Sequence, residues 1–97
     1  MPTSVVKKDG TKESFDSGKI KNAIAMAITQ GGLPEEEKTK VVERVFGAVM
    51  ESLGAEEEIA SSVIREKILS ELDTVAPAAS AAWRKYEQEQ GKQEQGK

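Results

Sequence analysis

The sequence predicts a single, mostly helical α+β domain, in which a four-helix bundle carries a small sheet that includes an N-terminal β-hairpin. Three observations predict it. The chain has 97 residues, which suits one domain with one modest core. An Asp-Gly pair at positions 9–10 separates two short extended runs, as in a hairpin. After residue 16, apolar residues recur with helical period in four segments, and a Gly or Pro stands between neighbouring segments.

The hairpin has two possible registers. A two-residue Asp-Gly loop would place Lys7 opposite Lys12, and like charges directly opposite each other destabilise a sheet. A three-residue loop over 8–10 avoids this pair, with Gly10 in the left-handed conformation of a bulge. We therefore predict the three-residue loop. One face of the hairpin then carries Val5, Lys7, Thr11, Glu13 and Phe15.

Two helices are predicted after the hairpin. Asp16 is expected to be the N-cap of the first helix, which ends at the Gly-Gly pair 31–32. The second begins near Pro34, where three glutamates suit the positive end of the helix dipole, and ends at Gly54. Their apolar stripes are Ile20, Ala23, Ile24, Ala27 and Ile28, then Val41, Val42, Val45, Phe46, Val49, Met50 and Leu53.

The second half of the chain predicts a short strand and two more helices. Residues 55–60 are too few and too charged for a core helix, and they could form an edge strand beside the hairpin. Ser61 or Ser62 is expected to cap the third helix, with residues 73–75 as the link to a fourth near Pro77. From about residue 88 the chain is polar and aperiodic. It therefore predicts a domain over 1–88 and a disordered tail over 89–97.

Composition excludes several kinds of site. The chain has no Cys and no His, which removes disulfides, thiolate and imidazole catalysis, and Cys/His metal sites. It has no phosphate-binding loop of the Gly-x-x-x-x-Gly-Lys-Ser/Thr kind and no Gly-x-Gly-x-x-Gly run. The two Glu triplets, at 35–37 and 56–58, favour a helix start or a loop over a metal site. We therefore expect no protein-ligated metal. No apolar run is long enough for a membrane span or a secretory signal, so we expect a cytoplasmic protein.

Five lysines within residues 7–21 indicate a site for an anion. Lys19 lies in the first turn of the first predicted helix, so its ammonium, the helix N-terminus and the hairpin lysines could converge on one phosphate chain. The alternative for any single lysine is a solvated surface position. Trp83 and Tyr86, three residues apart, could stack on a base, although such a pair more often fills a core or an interface.

Residues 5–20 read Val-Val-Lys-Lys-Asp-Gly-Thr-Lys-Glu-Ser-Phe-Asp-Ser-Gly-Lys-Ile. Without a gap, this run resembles the opening pattern of the ATP-cone, Val-x-Lys-Arg-Asp-Gly-x-x-Glu-x-Phe-Asp-x-x-Lys-Ile. The ATP-cone is a regulatory domain of many ribonucleotide reductases and of bacterial repressors of reductase genes. The resemblance covers about residues 4–88 and continues through the segments 23–27 and 59–62, Pro77 and the Trp83–Tyr86 pair.

The resemblance implies a helical bundle capped by a three-stranded sheet, with ATP or dATP between them, with or without Mg²⁺. It also implies the residues of the site. Val5 would pack near the base or sugar, Ser61 beside the base, and Glu13 and Asp16 would bind base or sugar or orient lysines. The residues that would reach the nucleotide or its phosphates are Lys7, Lys8 and Lys19.

The chain departs from the family pattern at two positions of the site. Lys8 stands where Arg is usual, and an ammonium cannot reproduce the bidentate contacts of a guanidinium. Glu87 stands where the family often has Arg after Tyr86. A basic contact from the last helix would then come from Arg84 or Lys85.

We therefore expect a non-catalytic ATP or dATP sensor linked to nucleotide-reductase or related regulation. Its expected partners are the nucleotide and either a second copy or a larger protein, with no membrane. The net charge of −3 leads us to expect that DNA is not a direct partner. The alternative is a transcription-associated protein- or DNA-interaction domain that keeps the cone fold with little nucleotide affinity. The lack of His and of a phosphate loop disfavours a phosphotransfer enzyme.

Overall fold

The computed structural model describes residues 2–95 and, within them, the side chains of residues 2–89. It has four helices and three strands, which confirms the predicted α+β class. The elements are β1 (Ser4–Val6), β2 (Lys12–Ser14), α1 (Ser17–Gln30), α2 (Glu35–Leu53), β3 (Glu58–Ala60), α3 (Ser61–Val75) and α4 (Pro77–Gln95).

The sheet has the strand order β2-β1-β3, with β1 antiparallel to β2 and parallel to β3. Val5 lies opposite Glu13, so the hairpin has the predicted three-residue loop. Gly10 in that loop has a φ of 89°, a conformation that favours glycine. Lys12 does not face another lysine, and its ammonium instead lies 2.6 Å from the carboxylate of Glu58 on β3.

The core is built mainly from branched aliphatic side chains. Helix α1 contacts α2 and α4, and α3 contacts the same two helices. Ile59 of β3 is buried in the same cluster, and the half-buried Val5 and Phe15 pack against it, which attaches the sheet to the helices. The fully buried aliphatic residues include Ile24, Ile28, Val45, Val49 and Leu72. The bundle arrangement itself stays a prediction.

The start of α3 differs from the prediction. Neither Ser61 nor Ser62 is the N-cap, because β3 runs directly into the helix and leaves no linking residue between them. Ala60 is the N-cap and makes no side-chain hydrogen bond. Residues 73–75, predicted as a link, form the last turn of α3, and Ala76 alone separates α3 from α4.

Helix α4 continues to Gln95, past the residue at which the polar composition predicted a disordered tail. The backbone of residues 89–95 is therefore helical, and residues 96–97 lie outside the described part of the chain. The domain boundary at residue 88 stays a prediction. Among the described residues, no helix is both long and apolar enough to cross a membrane.

Gly31 lies where the end of α1 meets the start of α4. A Cβ at this position would lie 2.9 Å from the carbonyl group of Ala78 and from the backbone nitrogen of Ala79, which cannot rotate away. We expect Gly31→Ala to lower the free energy of unfolding by about 1–3 kcal/mol through overpacking. Urea denaturation measures this change.

Gly47→Ala is the matched control, because Gly47 lies inside α2 and a Cβ there meets nothing within 4 Å. It is expected to raise the free energy of unfolding by about 0.5–1 kcal/mol, since alanine is the better helix former. If Gly31→Ala and Gly47→Ala changed the free energy of unfolding in the same direction and by the same amount, the close approach of α1 and α4 would be contradicted.

Candidate functional site

A cleft of about 190 Å³ lies between the sheet and the helices α1, α3 and α4. Its polar residues are Glu13, Asp16, Lys19, Ser61 and Arg65, together with Ser14. Its apolar side chains come from all of these elements, and they include Val5, Phe15, Ile20, Ile64, Ile68 and Trp83. The cleft thus combines an apolar wall with a few charged groups, as small-molecule sites commonly do.

A larger open groove of about 740 Å³ adjoins the cleft. The hairpin loop contributes Lys7, Lys8 and Asp9, the first turns of α3 contribute Ser61, Ser62 and Arg65, and α4 contributes Trp83 and Glu87. Three residues, Ser61, Arg65 and Trp83, line both the cleft and the groove. A single ligand could therefore extend from one into the other.

Glu13 lies between two of the lysines. Its carboxylate is 3.2 Å from the ammonium of Lys7 and 3.9 Å from that of Lys19. The two lysine side chains are 51% and 69% exposed. Exposed ion pairs of this kind contribute only about 0–1 kcal/mol, so either lysine can leave Glu13 for a stronger anion at little cost.

The two helices that begin at the cleft start differently. Asp16 caps α1, and its carboxylate accepts a hydrogen bond of 2.9 Å from the backbone nitrogen of Gly18. This cap holds the first turn, which carries Lys19. Helix α3 has no side-chain cap, and its first residue is Ser61. Because the first backbone N–H groups of a helix lack helical partners, the start of α3 offers donors and positive potential to an anion.

Arg65 is a cleft residue that the sequence analysis missed. It lies one helical turn after Ser61, and this i, i+4 spacing was the signal that could have found it. Its guanidinium donates to both carboxylate oxygens of Glu87, from Nε at 2.8 and 2.7 Å. These hydrogen bonds raise the pKa of Arg65 and lower the pKa of Glu87, and the nearby charge of Lys8 adds to the latter shift.

The structure brings together the seven residues that the resemblance placed at the nucleotide, since all of them line the cleft or the groove. Arg84 and Lys85 line neither. Arg84 instead forms a bidentate pair with Asp73, at 2.8 and 2.9 Å. Trp83 lines both cavities, and together with Tyr86 it also lines an apolar concavity between α1 and α4. Tyr86 is 47% exposed and lines neither the cleft nor the groove. That the two rings stack on a base stays a prediction.

Acidic residues form no metal site in the part of the chain that the structure describes. No group of three or more acidic residues there is arranged to hold a metal ion. The triplet 35–37 forms the first turn of α2, and Glu58 pairs with Lys12.

The fold and the site define a class of protein: a small helical domain with a short sheet that presents cations beside an apolar cleft. Such a site suits a ligand that has both a phosphate chain and an aromatic part. The chain belongs to the ATP-cone family, because the family model described as the ATP cone domain matches residues 3–91. The resemblance that residues 5–20 carry is thereby confirmed. ATP-cone domains bind ATP or dATP.

Curated relatives of the chain are bacterial proteins named transcriptional repressor NrdR. The protein from Pediococcus pentosaceus is 41% identical over 78 residues, which cover 77% of this chain and 48% of the relative. The protein from Limosilactobacillus fermentum is 38% identical, covering 76% and 47%, and that from Bordetella avium is 36% identical, covering 74% and 43%. The chain spans about half the length of the curated relatives it matches.

The expectation that DNA is not a direct partner is wrong, because these relatives are transcriptional repressors, which bind DNA. The physical reason for the error is that net charge sums over the whole chain. It does not report how the charges are distributed, and a cluster such as the lysines of the hairpin can lie in a chain whose net charge is negative.

The Asp73–Arg84 pair predicts a pH dependence of stability. Hydrogen bonds from Arg84 lower the pKa of Asp73 from 3.8 to about 2. A carboxylate with a lowered pKa in the folded state stabilises the fold above its unfolded pKa, and this stabilisation is lost as the pH falls through about 2. The stability difference between the wild type and Asp73→Asn should therefore be constant above pH 5 and shrink between pH 4 and pH 2.

Thermal unfolding of the two proteins at a series of pH values measures this difference. Glu43→Gln, which neutralises one exposed carboxylate of α2, controls for the general effect of altered net charge. A difference between wild type and Asp73→Asn that stays the same from pH 5 to pH 2 would contradict the pairing.

Proposed function

We propose that this chain is a non-catalytic regulatory domain that senses ATP or dATP and takes part in the transcriptional regulation of ribonucleotide reductase. One observation carries the proposal. An apolar cleft that carries Lys19 adjoins a groove lined by Lys7 and Lys8, and the uncapped start of α3 and Trp83 line both. The family membership and the repressor relatives support the same function.

The base and sugar are best accommodated in the cleft. Its apolar side chains can pack against an aromatic base, and Glu13 and Asp16 offer hydrogen-bond acceptors at its edge. Its volume of about 190 Å³ is below the roughly 300–1,000 Å³ usual for small-molecule sites. A nucleotide in the cleft would therefore continue into the groove.

The phosphates then meet the cations. Lys7 and Lys8 line the groove, Lys19 lies at the cleft beside Glu13, and the first turn of α3 begins at Ser61 between them. Lys7 and Lys19 already pair with the carboxylate of Glu13. A triphosphate carries more negative charge than one carboxylate, so these lysines gain by exchanging Glu13 for phosphate. Mg²⁺, if it takes part, would enter on the phosphates, which are its usual ligands.

A sensing role fits the site, because both of its acidic side chains already have partners that a bound nucleotide could replace. Asp16 is engaged as the cap of α1, and Glu13 lies between two lysines. A bound nucleotide changes a conformational equilibrium only through different affinities for the two states, so a second copy or a larger protein must read the bound form. We further propose a cytoplasmic location and a bundle of the four helices beneath the sheet.

Replacing Lys7 and Lys19 together by Ala is expected to weaken ATP binding by at least about a hundredfold, because two charge-assisted contacts are removed. Calorimetric titration with ATP and dATP, with and without Mg²⁺, measures the affinity. Trp83 is the only tryptophan of the chain and lines the cleft, so its fluorescence gives a second reading.

The matched control is Lys12→Ala combined with Lys40→Ala, which removes the same charge from residues that line neither the cleft nor the groove. It is expected to change the affinity by less than about threefold, since distant exposed charges are screened. No heat with wild type at millimolar nucleotide, or wild-type affinity in a folded Lys7/Lys19 variant, would refute the proposal.

A second candidate function is DNA contact through the hairpin lysines with little nucleotide affinity, and the repressor relatives favour it. Titration of a labelled DNA duplex, followed by fluorescence anisotropy, tests it. If Lys7, Lys8 and Lys12 each neutralise a phosphate, the logarithm of the affinity should fall with that of the salt concentration with a slope near −3. No binding at 50 mM salt would reject this function for the chain.

A further inference from the structure

Arg65 and Glu87 form an ion pair across the groove, from α3 to α4. Besides its two Nε contacts, Nη2 of Arg65 lies 2.6 Å from Oε1 of Glu87. Both residues line the groove, and Arg65 also lines the cleft. The pair therefore lies within the space where the proposed function places the phosphates of a nucleotide.

Glu87 is the carboxylate that balances the positive charge of the groove. The groove is lined by three cationic side chains, those of Lys7, Lys8 and Arg65, and by two acidic ones. Of the acids, Asp9 is occupied within the hairpin loop, where it accepts from the backbone nitrogen and the hydroxyl of Thr11 at 3.0 and 2.7 Å. Glu87 thus takes a position that the surrounding charges make favourable for any anion.

A phosphate can replace this carboxylate. The planar fork of a guanidinium binds carboxylate and phosphate in the same bidentate geometry. The side chains of Arg65 and Glu87 are 38% and 34% exposed, so the pair can be reached from solvent. A triphosphate also carries more charge than Glu87 does, and it would meet Lys7 and Lys8 at the same time.

We propose that Arg65 is a phosphate-binding residue and that Glu87 holds it in the nucleotide-free protein, so that nucleotide binding exchanges carboxylate for phosphate on the guanidinium. This inference rests on the proposed function. It adds Arg65 to the nucleotide site and makes Glu87 a competitor of the phosphate. Glu87 lowers the affinity for the nucleotide, and it keeps the cations of the groove from repelling one another when the ligand is absent.

The exchange lets a bound nucleotide affect α4, because Glu87 lies on that helix. Glu87 also lines the apolar concavity formed with Met26 and Tyr86, so its release alters a second surface of the domain. The contact between α3 and α4 would then depend on whether a nucleotide is bound. That dependence is what a sensing domain requires.

The Asp73–Arg84 pair is a natural control for this exchange. It also joins α3 to α4 by a bidentate contact, but its acid is on α3 and its base on α4. Neither residue lines the cleft or the groove. Asp73→Asn therefore removes one negative charge and one α3–α4 ion pair, as Glu87→Gln does, without altering the groove.

The experiment is calorimetric titration of the full chain with ATP and with adenosine, for the wild type, Glu87→Gln, Arg65→Gln, the double variant and Asp73→Asn. We expect Glu87→Gln to tighten ATP binding several-fold and Arg65→Gln to weaken it about tenfold or more. The gain from Glu87→Gln should shrink when Arg65 is already replaced. Asp73→Asn should bind ATP as the wild type does, and adenosine should bind all five proteins alike.

An independent reading uses the wild-type chain alone. The NMR signal of the Arg65 Nε–H group, assigned with Arg65→Gln, should shift on addition of ATP but not of adenosine. An ATP affinity of Glu87→Gln equal to that of Asp73→Asn, or an Arg65 signal unmoved by saturating ATP, would overturn the exchange while leaving nucleotide sensing intact. A wild type that binds no ATP would overturn the proposed function, and this inference with it.

Discussion

The parallel pairing of β1 with β3 is the interaction on which the rest of the site depends. It joins Val5 to Ile59 across more than half of the chain, and β3 continues into α3 without a linking residue. The hairpin is thereby held against the first turn of α3, and Lys7, Lys8 and Ser61 come to line one groove. Without this pairing the cleft would lose a wall, and the cations of the hairpin would have no fixed position relative to α3.

The charges around the site follow from that arrangement. The pairing places several cations close together, and two carboxylates, Glu13 and Glu87, lie among them. Both carboxylates are exposed enough that their ion pairs can exchange for another anion. Because such exposed pairs are weak, the carboxylates balance the charge of the cations without preventing another anion from displacing them.

Several elements could be predicted because their signals are local. The repulsion between Lys7 and Lys12 was enough to select the hairpin register, since cross-strand neighbours are set by the turn. The helical period and the glycines at 31–32 and 54 set the ends of α1 and α2. The cap of α3 was assigned wrongly because a serine before an apolar run normally signals an N-cap, whereas here the strand leads straight into the helix.

The sequence by itself determined the α+β class, the family and the group of lysines near the N-terminus, because turn, cap and period signals lie within a few residues of one another. Only the tertiary structure decided that β3 pairs parallel to β1 and that Arg65 turns toward Glu87 while Arg84 turns toward Asp73. Each of these contacts joins residues far apart in sequence or on different helices. Which cation pairs with which carboxylate depends on how α3 packs against α4. The order of charged residues in the sequence does not give the distances between side chains on the two helices.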